Sequence, residues 1–401
     1  MTGTGTLNPL GSTVAETWSA LIAGRSGIAG IDEAWAEPLP VRIAGRVGTD
    51  LSALLTTREL KRMDRCGQLA VLAARDAWAK AGAPEVDPDR FAVVIGSGYG
   101  GLDTTLAQTR ALDSGGARRV SPHTLTRLMV NGPSAWVSID LGARAGARTP
   151  VSACASGAEA IAQGLELIKA GAADVVVAGG VDACVNDLVL SGFSQIRALS
   201  TRNDDPEGAS RPFDRDRDGF VLAEGAGILV LESEEHARAR GAHVLGAVAG
   251  AAVTSDAGDI VAADPAMQRR VMEKALAMAG LRGADISFVH AHATSTPVGD
   301  RLEAQAIGAV LGSTVPVTST KSLTGHLLGG AGALGAIVVI EALRSGDLPG
   351  TYNVGSLDPE VDLNIITGTA RWGGEPESGG AGMVNAFGFG GHSASLVITR
   401  G

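Results

Sequence analysis

Aromatic residues are scarce in this 401-residue chain; Phe, Trp and Tyr together make up 3%. That disfavours an aromatic β-sandwich. Apolar residues still reach 45%, and glycine numbers 56. A core of Ala, Val, Leu and Ile with so much glycine fits buried strands and closely packed helices. Cysteine is scarce as well. Cys66, Cys154 and Cys184 lie far apart, without a CxxC pair. No disulfide framework and no zinc knuckle follow from that spacing, and a reducing, cytoplasmic setting is expected. Basic residues are outnumbered, 33 against 43 acids, for a net charge of −10. General nucleic-acid binding is therefore not expected. No apolar run of about 18 residues is free of charges or Gly/Pro breaks, so no membrane span is expected. The first residues lack the basic-then-apolar pattern of a secretion signal.

What is present is a regular alternation. Met1 to Leu7 reads as part of a first strand, and Thr13 with Glu16 as a capping box for a helix to about Ala23. A helix is predicted from about Arg58 to Ala81, then a strand over Phe91–Ile95. Helices are predicted after Gly101 and near 122–130 and 132–142. Further strands are predicted at Thr149–Ala153, 173–178, 226–231, 244–253, Ile286–His292, 363–366, 383–387 and 395–398. Between them fall helices at Gly157–Lys169, 267–280, 298–311 and 326–345. Strand–helix alternation argues an α/β protein with mostly parallel or mixed sheets. The two halves share a rhythm in which a special residue follows a strand, so an internal duplication is plausible, with a break near 235–250.

Three patterns invite misreading. Gly96–Gly101 satisfies GxGxxG, but no acidic residue ends a following strand at the ribose position, so a close-packed turn is the better reading. Asp214–Gly219 opens like a calcium loop, but its twelfth position is Gly225 and its acids alternate with arginines, so a salt-bridge network is expected. His290 and His292 share a strand face, but no third ligand stands at metal spacing, so no metal is expected.

The stretch Val151–Gly157 organises the chain. It delivers Cys154 to the start of an amphipathic helix, whose partial positive charge favours a thiolate. A lone cysteine is more often a core residue. Three other Gly-flanked polar segments alter the balance: His292–Pro297, Ser319–His326 and Asn385–Gly391. A cysteine with two histidines is an acyl-transfer set.

Together with Ala198–Asp204, Arg211–Asp214 and Arg217–Val221, these segments make the whole chain resemble the elongating β-ketoacyl-[acyl carrier protein] synthases. It looks closest to actinobacterial members. The resemblance implies a thiolase-like duplicated fold, with two sheets in a five-layer αβαβα arrangement and halves at 1–240 and 241–401. It also implies decarboxylative condensation of a Cys-bound acyl chain with malonyl carrier protein, in fatty acid or related polyketide synthesis. Cys154, His292, His326 and Lys321 would be catalytic. The backbone amides of Cys154 and Phe389 would form the oxyanion hole. Thr294 and Thr296 would hold the pantetheine arm, with Phe193, Phe387 and Phe389 along the substrate path. Arg58, Lys61, Arg62 and Arg197 would dock an acyl carrier protein. No cofactor beyond the phosphopantetheine on that carrier is implied, and a homodimer is.

The chain also departs from the family pattern. Gly335 stands where Glu is usual, nine residues after His326, which leaves Lys321 in want of a partner. His290 replaces the usual Asn, Ala293 a common Gly, and Asp256–Ile260 lacks the customary aromatic and histidine residues. Two other classes stay open. One is a non-condensing partner subunit, which typically lacks the cysteine. The other is a dinucleotide oxidoreductase, which the weak GxGxxG disfavours.

Overall fold

The structure, a computed structural model, describes residues 1–372 and 380–401. In chain order its strands are β1 (Gly3–Leu7), β2 (Ile28–Gly30), β3 (Ile43–Gly45), β4 (Phe91–Gly96), β5 (Gly146–Arg148), β6 (Val175–Asp182), β7 (Gly225–Glu232), β8 (Gly246–Ser255), β9 (Phe288–His290), β10 (Pro316–Thr318), β11 (Asp347–Leu348), β12 (Asn364–Ile365), β13 (Ala370–Arg371), β14 (Ala381–Gly388) and β15 (His392–Arg400). One sheet runs β1-β7-β6-β4-β5, the other β12-β10-β9-β14-β15-β8. Two hairpin-sized ribbons, β2–β3 and β11–β13, lie outside them.

The two large sheets repeat one topology. In the first, β1–β7 and β7–β6 are antiparallel, while β6–β4 and β4–β5 are parallel. In the second, β8–β15 and β15–β14 are antiparallel, while β14–β9 and β9–β10 are parallel. In each sheet a single strand, β7 or β15, runs against all the others, so the sheets are mostly parallel with one antiparallel strand apiece, as the alternation in the sequence implies.

Two helices fill the space between the sheets, Ser156–Lys169 and Ala331–Ser345. The first packs on β4 and β6 and reaches β8 and β15, and the second touches β7, β14 and β15. The Arg65–Lys80 helix covers the outer face of the first sheet, and Pro265–Ala279 that of the second. That is a five-layer αβαβα sandwich. Among the described residues, 328–345 is the one helical stretch long and apolar enough to cross a membrane, and it is 83% buried between the sheets.

The sequence explains this placement. Every residue of β6 is buried, as suits a strand covered on both faces. Gly180 has no room for a side chain: a Cβ there would lie 2.1 Å from the Gly329 carbonyl oxygen. The central helices can approach this closely because their facing residues are mostly alanine and glycine.

Several expected elements are reshaped by local bonding. The helix expected from Arg58 to Ala81 is two helices, Thr57–Arg62 and Arg65–Lys80. Met63 turns extended (φ −104°, ψ 144°), and the Asp64 carboxylate caps the second helix through the Cys66 amide. Thr13 does cap its helix, but Glu16 accepts from the Ser12 amide and hydroxyl rather than closing a box on Thr13. The strand expected at Thr149–Ala153 is absent; β5 ends at Arg148. Pro150 has no amide to pair, and the Ser156 hydroxyl takes the Ser152 amide and donates to the Ala153 carbonyl. The strand expected over Ile286–His292 shrinks to β9, because the His292 and Ala293 amides turn to the Glu303 carboxylate.

Candidate active site

The functional side chains gather where strands of both sheets end. Cys154 lies in a short 3-10 turn, Ala153–Ala155, at the start of the Ser156–Lys169 helix. His326 occupies the matching place in the second sheet, between β10 and the Ala331–Ser345 helix. His292 follows β9. All three line one cavity of about 480 Å³, together with Phe193, Arg197, Phe220, Thr294, Thr296, Phe387 and Phe389. A larger cleft of about 750 Å³ runs along the Leu102–Gly115 helix, lined by Trp35, Arg65, Asp103, Arg110 and Glu224. It contains no nucleophile.

The backbone is strained near Cys154, His292 and His326. Ala153 (φ 50°), Ser295 (φ 76°) and Leu328 (φ 49°) are left-handed without being glycine. Each such residue costs about 1–3 kcal/mol, and it persists only where its surroundings hold it.

The two imidazoles meet edge to face, with centroids 5.4 Å apart and planes at 84°. Phe220 stacks edge-on to His326 at 5.5 Å, and Phe387 lies 5.8 Å from His292. Both ring nitrogens of His326 are buried, and among the described residues neither has a hydrogen-bond partner. Burial, reinforced by the Lys321 charge, holds both histidines well below the usual imidazole range. They are therefore neutral near pH 7, and each keeps one N–H to donate.

Cys154 corrects the expectation of a ready thiolate. Burial pushes its pKa up to about 12, Asp182 adds to the rise, and Lys321 and a backbone hydrogen bond oppose it. The helix N-terminus is present, but desolvation dominates. The resting group is a thiol.

Lys321 is buried, with its ammonium donating to the Ala291 carbonyl at 3.4 Å. Burial lowers its pKa to about 8, while the carboxylates of Glu303 and Asp300 oppose the fall. Glu303 thus acts on Lys321 through its charge, while the bond the ammonium makes is to the Ala291 carbonyl. Glu303 also anchors the histidine loop, accepting from the amides of His292 (2.8 Å) and Ala293 (2.6 Å). Asp300 takes the amides of Phe213 and Ser295. Near Gly335 two departures from the family pattern prove to be one. A Cβ on Gly335 would lie 2.9 Å from His290 Nδ1, so the His290 ring occupies the space a side chain there would need. Its Nε2 pairs with the Thr320 hydroxyl at 2.9 Å, and burial with the Lys321 charge drives it down to about 3.

The glycine-rich turn after β14 lies on the nucleophile. A Cβ on Gly388 would lie 2.4 Å from the Ser152 carbonyl and 3.1 Å from the Cys154 nitrogen. Gly390 and Gly391 are left-handed (φ 84° and 72°), which only glycine adopts readily. The Gly390 amide ties this turn to the Ile260 carbonyl at 2.7 Å. Thr294 and Thr296 lie with hydroxyls 3.3 Å apart on the cavity wall.

The four basic residues do not form one cluster on this cavity. Arg197 lines it. Arg58, Lys61 and Arg62 lie on the Thr57–Arg62 helix around a shallow depression with His123, and the Arg62 guanidinium covers the Trp136 ring at 5.7 Å.

The other patterns resolve into internal bonds. In the GxGxxG turn, the amides of Gly98 and Tyr99 bind the Asp182 carboxylate, so it holds no outside anion. In the calcium-like loop, Asp214 takes the amides of Asp216, Gly355 and Ser356, and the buried Arg217 pairs with Asp358 at 2.7 Å. No cluster of three metal-ligating side chains occurs among the described residues. Asp182 escaped the sequence reading; the available signal was an acid closing an otherwise apolar strand, beside a glycine-rich turn.

The beta-ketoacyl synthase N-terminal domain family matches residues 1–237, and the beta-ketoacyl synthase C-terminal domain family matches residues 245–355. The chain is 42% identical to the 3-oxoacyl-[acyl-carrier-protein] synthase 2 of Mycobacterium tuberculosis, over 100% of its own length and 96% of that protein's. A beta-ketoacyl synthase crystal structure from Burkholderia phymatum superposes with a TM-score of 0.93 at 34% identity, covering 100% of this chain and 98% of that one. A type II PKS acyl-carrier protein in complex with its ketosynthase, bound to the hexaketide, superposes at 0.90 with 28% identity over 100% and 98% of the two chains.

Proposed function

The chain belongs to the β-ketoacyl synthase family, and from that premise we propose that it condenses a Cys154-bound acyl chain with malonyl-[acyl carrier protein]. The product is a 3-oxoacyl carrier thioester two carbons longer, made in fatty acid or related polyketide synthesis. One observation carries the reading: a buried His326, with both ring nitrogens unpartnered among the described residues, opens on the same cavity as Cys154 and His292.

In the first half-reaction the Cys154 sulfur attacks the acyl thioester carbonyl, the carrier's C–S bond breaks, and the Cys154 proton leaves with the carrier thiol. The amides of Cys154 and Phe389 stabilise the oxyanion, since Gly388 lets the two backbones approach. In the second, His292 and His326 donate to the malonyl thioester oxygen. The carboxylate departs as CO₂, and its bonding electrons form the enolate that these donors stabilise. The enolate carbon then bonds to the acyl carbonyl, the Cys154 C–S bond breaks with its electrons on sulfur, and the thiolate takes a proton from solvent to restore the thiol. Neutral imidazoles suit this work, because an imidazolium paired with the enolate would have to be desolvated first. Lys321 biases the field that keeps them neutral.

Thr294 and Thr296 hold the pantetheine arm, Phe193 walls the acyl path, Phe389 gates between the acyl and malonyl pockets, and Phe387 lies along the substrate path. Arg58, Lys61, Arg62 and Arg197 give this acidic protein a local basic surface for an acidic carrier. The active form is a homodimer of a non-membrane, cytoplasmic enzyme that needs no metal or cofactor of its own. Its halves, 1–240 and 241–401, carry the nucleophile and the histidine pair respectively. The alternative, a non-condensing partner subunit, is disfavoured by the retained Cys154.

The test is incubation with malonyl carrier protein and a panel of acyl carrier proteins of different lengths and branching. Extension by two carbons with release of CO₂ is expected for part of the panel. Carrier binding without extension of any member would support the partner-subunit reading instead.

A further inference from the structure

One buried charge plays no part in that mechanism. Asp182 ends β6 and is fully buried. Its carboxylate draws together two segments that are far apart in sequence. From the turn after β4 it accepts the Ser97 hydroxyl at 2.8 Å and the amides of Gly98 at 3.0 Å and Tyr99 at 3.1 Å. From the loop after His326 it accepts the Gly329 amide at 2.8 Å. Three of these four partners are amides that can only donate, which favours the carboxylate against the burial that raises its pKa. The Gly329 carbonyl in turn reaches the strand and helix beside the nucleophile, lying where a Cβ on Gly180 or Gly157 would be.

We propose that Asp182 is a positioning residue that clasps the His326 loop to the Cys154 turn and so sets the spacing of nucleophile and histidine. Three features support it. The clasp grips three residues past His326, at the strained Leu328–Gly330 turn. Its other side holds Gly98, whose Cβ position lies 3.8 Å from Ala153 Cα, beside the nucleophile. The second sheet carries a counterpart, where Glu303 takes the amides of His292 and Ala293 after β9. Each sheet thus anchors the turn after its corresponding strand on a buried carboxylate. The inference rests on the condensation reading of this site.

Asp182 also acts on the thiol through its charge. The groups facing Cys154 are Asp182, Cys184 and Tyr99 from the first sheet, and Lys321 with the two neutral histidines from the second. Asp182 opposes the thiolate and Lys321 favours it.

Asp182→Asn keeps the volume but removes the charge and one acceptor. Condensation kcat should fall about tenfold or more, since small misplacements of reacting groups cost this much, with the KM for malonyl carrier protein within about threefold. Iodoacetamide alkylation of Cys154 at pH 8 should become about threefold faster, as the thiolate fraction rises more than its nucleophilicity falls. Unfolding would also speed alkylation, by exposing the buried thiol, so the rate is compared only in a variant whose circular dichroism and Tm match wild type. Gly329→Ala keeps the charge but crowds the same contact, its Cβ lying 2.7 Å from an Asp182 oxygen. It should lower condensation by about the same factor and leave alkylation unchanged, and it carries the test should the Asn variant not fold. Wild-type condensation is the separate control for the reading itself. Condensation within about twofold of wild type in either folded variant, or alkylation no faster in Asp182→Asn, overturns the clasp.

Discussion

The two sheets place equivalent elements around one cavity and give them different work. Seven residues (149–155) join β5 to its central helix, and they present Cys154 at the helix start. Twelve residues (319–330) make the same connection from β10, and the extra length carries both Lys321 and His326. The first connection is short and sets Cys154 at the helix N-terminus, where a developing negative charge is favoured. The second is longer and brings a cation and a hydrogen-bond donor to face it. A repeated fold thus yields two half-sites that differ in loop length and residue choice, and the proposed reaction uses one to hold the nucleophile and the other to stabilise the enolate.

The largest break in that comparison is to remove the nucleophile. Cys154→Ala should cut condensation by at least ~10³-fold, measured as 3-oxoacyl product by mass spectrometry; full elongation in this variant would sink the assignment. Removing the other half-site comes next. His326→Ala should slow CO₂ release from malonyl carrier protein by about 10²-fold or more, while acyl transfer to Cys154 persists. Loss of both steps together would mean that the two half-sites are not separable.

The third test concerns the buried imidazoles. His290 titrates at about 3 in the folded chain, against an ordinary 6.5, and His292 and His326 are also depressed. Unfolding lets each take up a proton below pH 6.5, so stability is complete above that value and declines as pH falls through it. Each histidine steepens the decline by up to about 1.4 kcal/mol per pH unit. His290→Gln should remove about that much slope between pH 4 and 6 in urea titrations, whatever it does to stability at pH 7. An unchanged slope would show that His290 is already protonated in the fold. The smallest effect is at the surface: Arg58→Glu with Lys61→Glu should raise the KM for acyl carrier protein by about three- to tenfold, more at low salt. An unaltered KM would move docking away from the Thr57–Arg62 helix.

Much of this was legible in the sequence, for identifiable reasons. Continuous apolar runs such as that of β6 and the alanine-rich central helices announce buried elements through composition alone. The meeting of Cys154, His292 and His326 in one cavity was legible because all three sit in Gly-flanked polar segments. Long-range bonds to side chains were not. The Ser156 hydroxyl ends the extended run before Cys154, and Glu303 shortens β9; neither leaves a periodic trace. The thiol's high pKa depends on burial from all sides, which no local pattern encodes. The pairing of His290 with Gly335 joins residues 45 apart, and it becomes a single feature only once the ring is seen in the vacant space.

The central claim is that the first half-site holds the chain while the second prepares the attacking carbon. The most direct measurement is peptide-mapped mass spectrometry of His326→Ala after incubation with acyl carrier protein and malonyl carrier protein together. The account predicts an acyl group accumulating on the Cys154 peptide, because the chain is loaded but not consumed. An unmodified Cys154, or the acyl group on Cys66 or Cys184 instead, would contradict it.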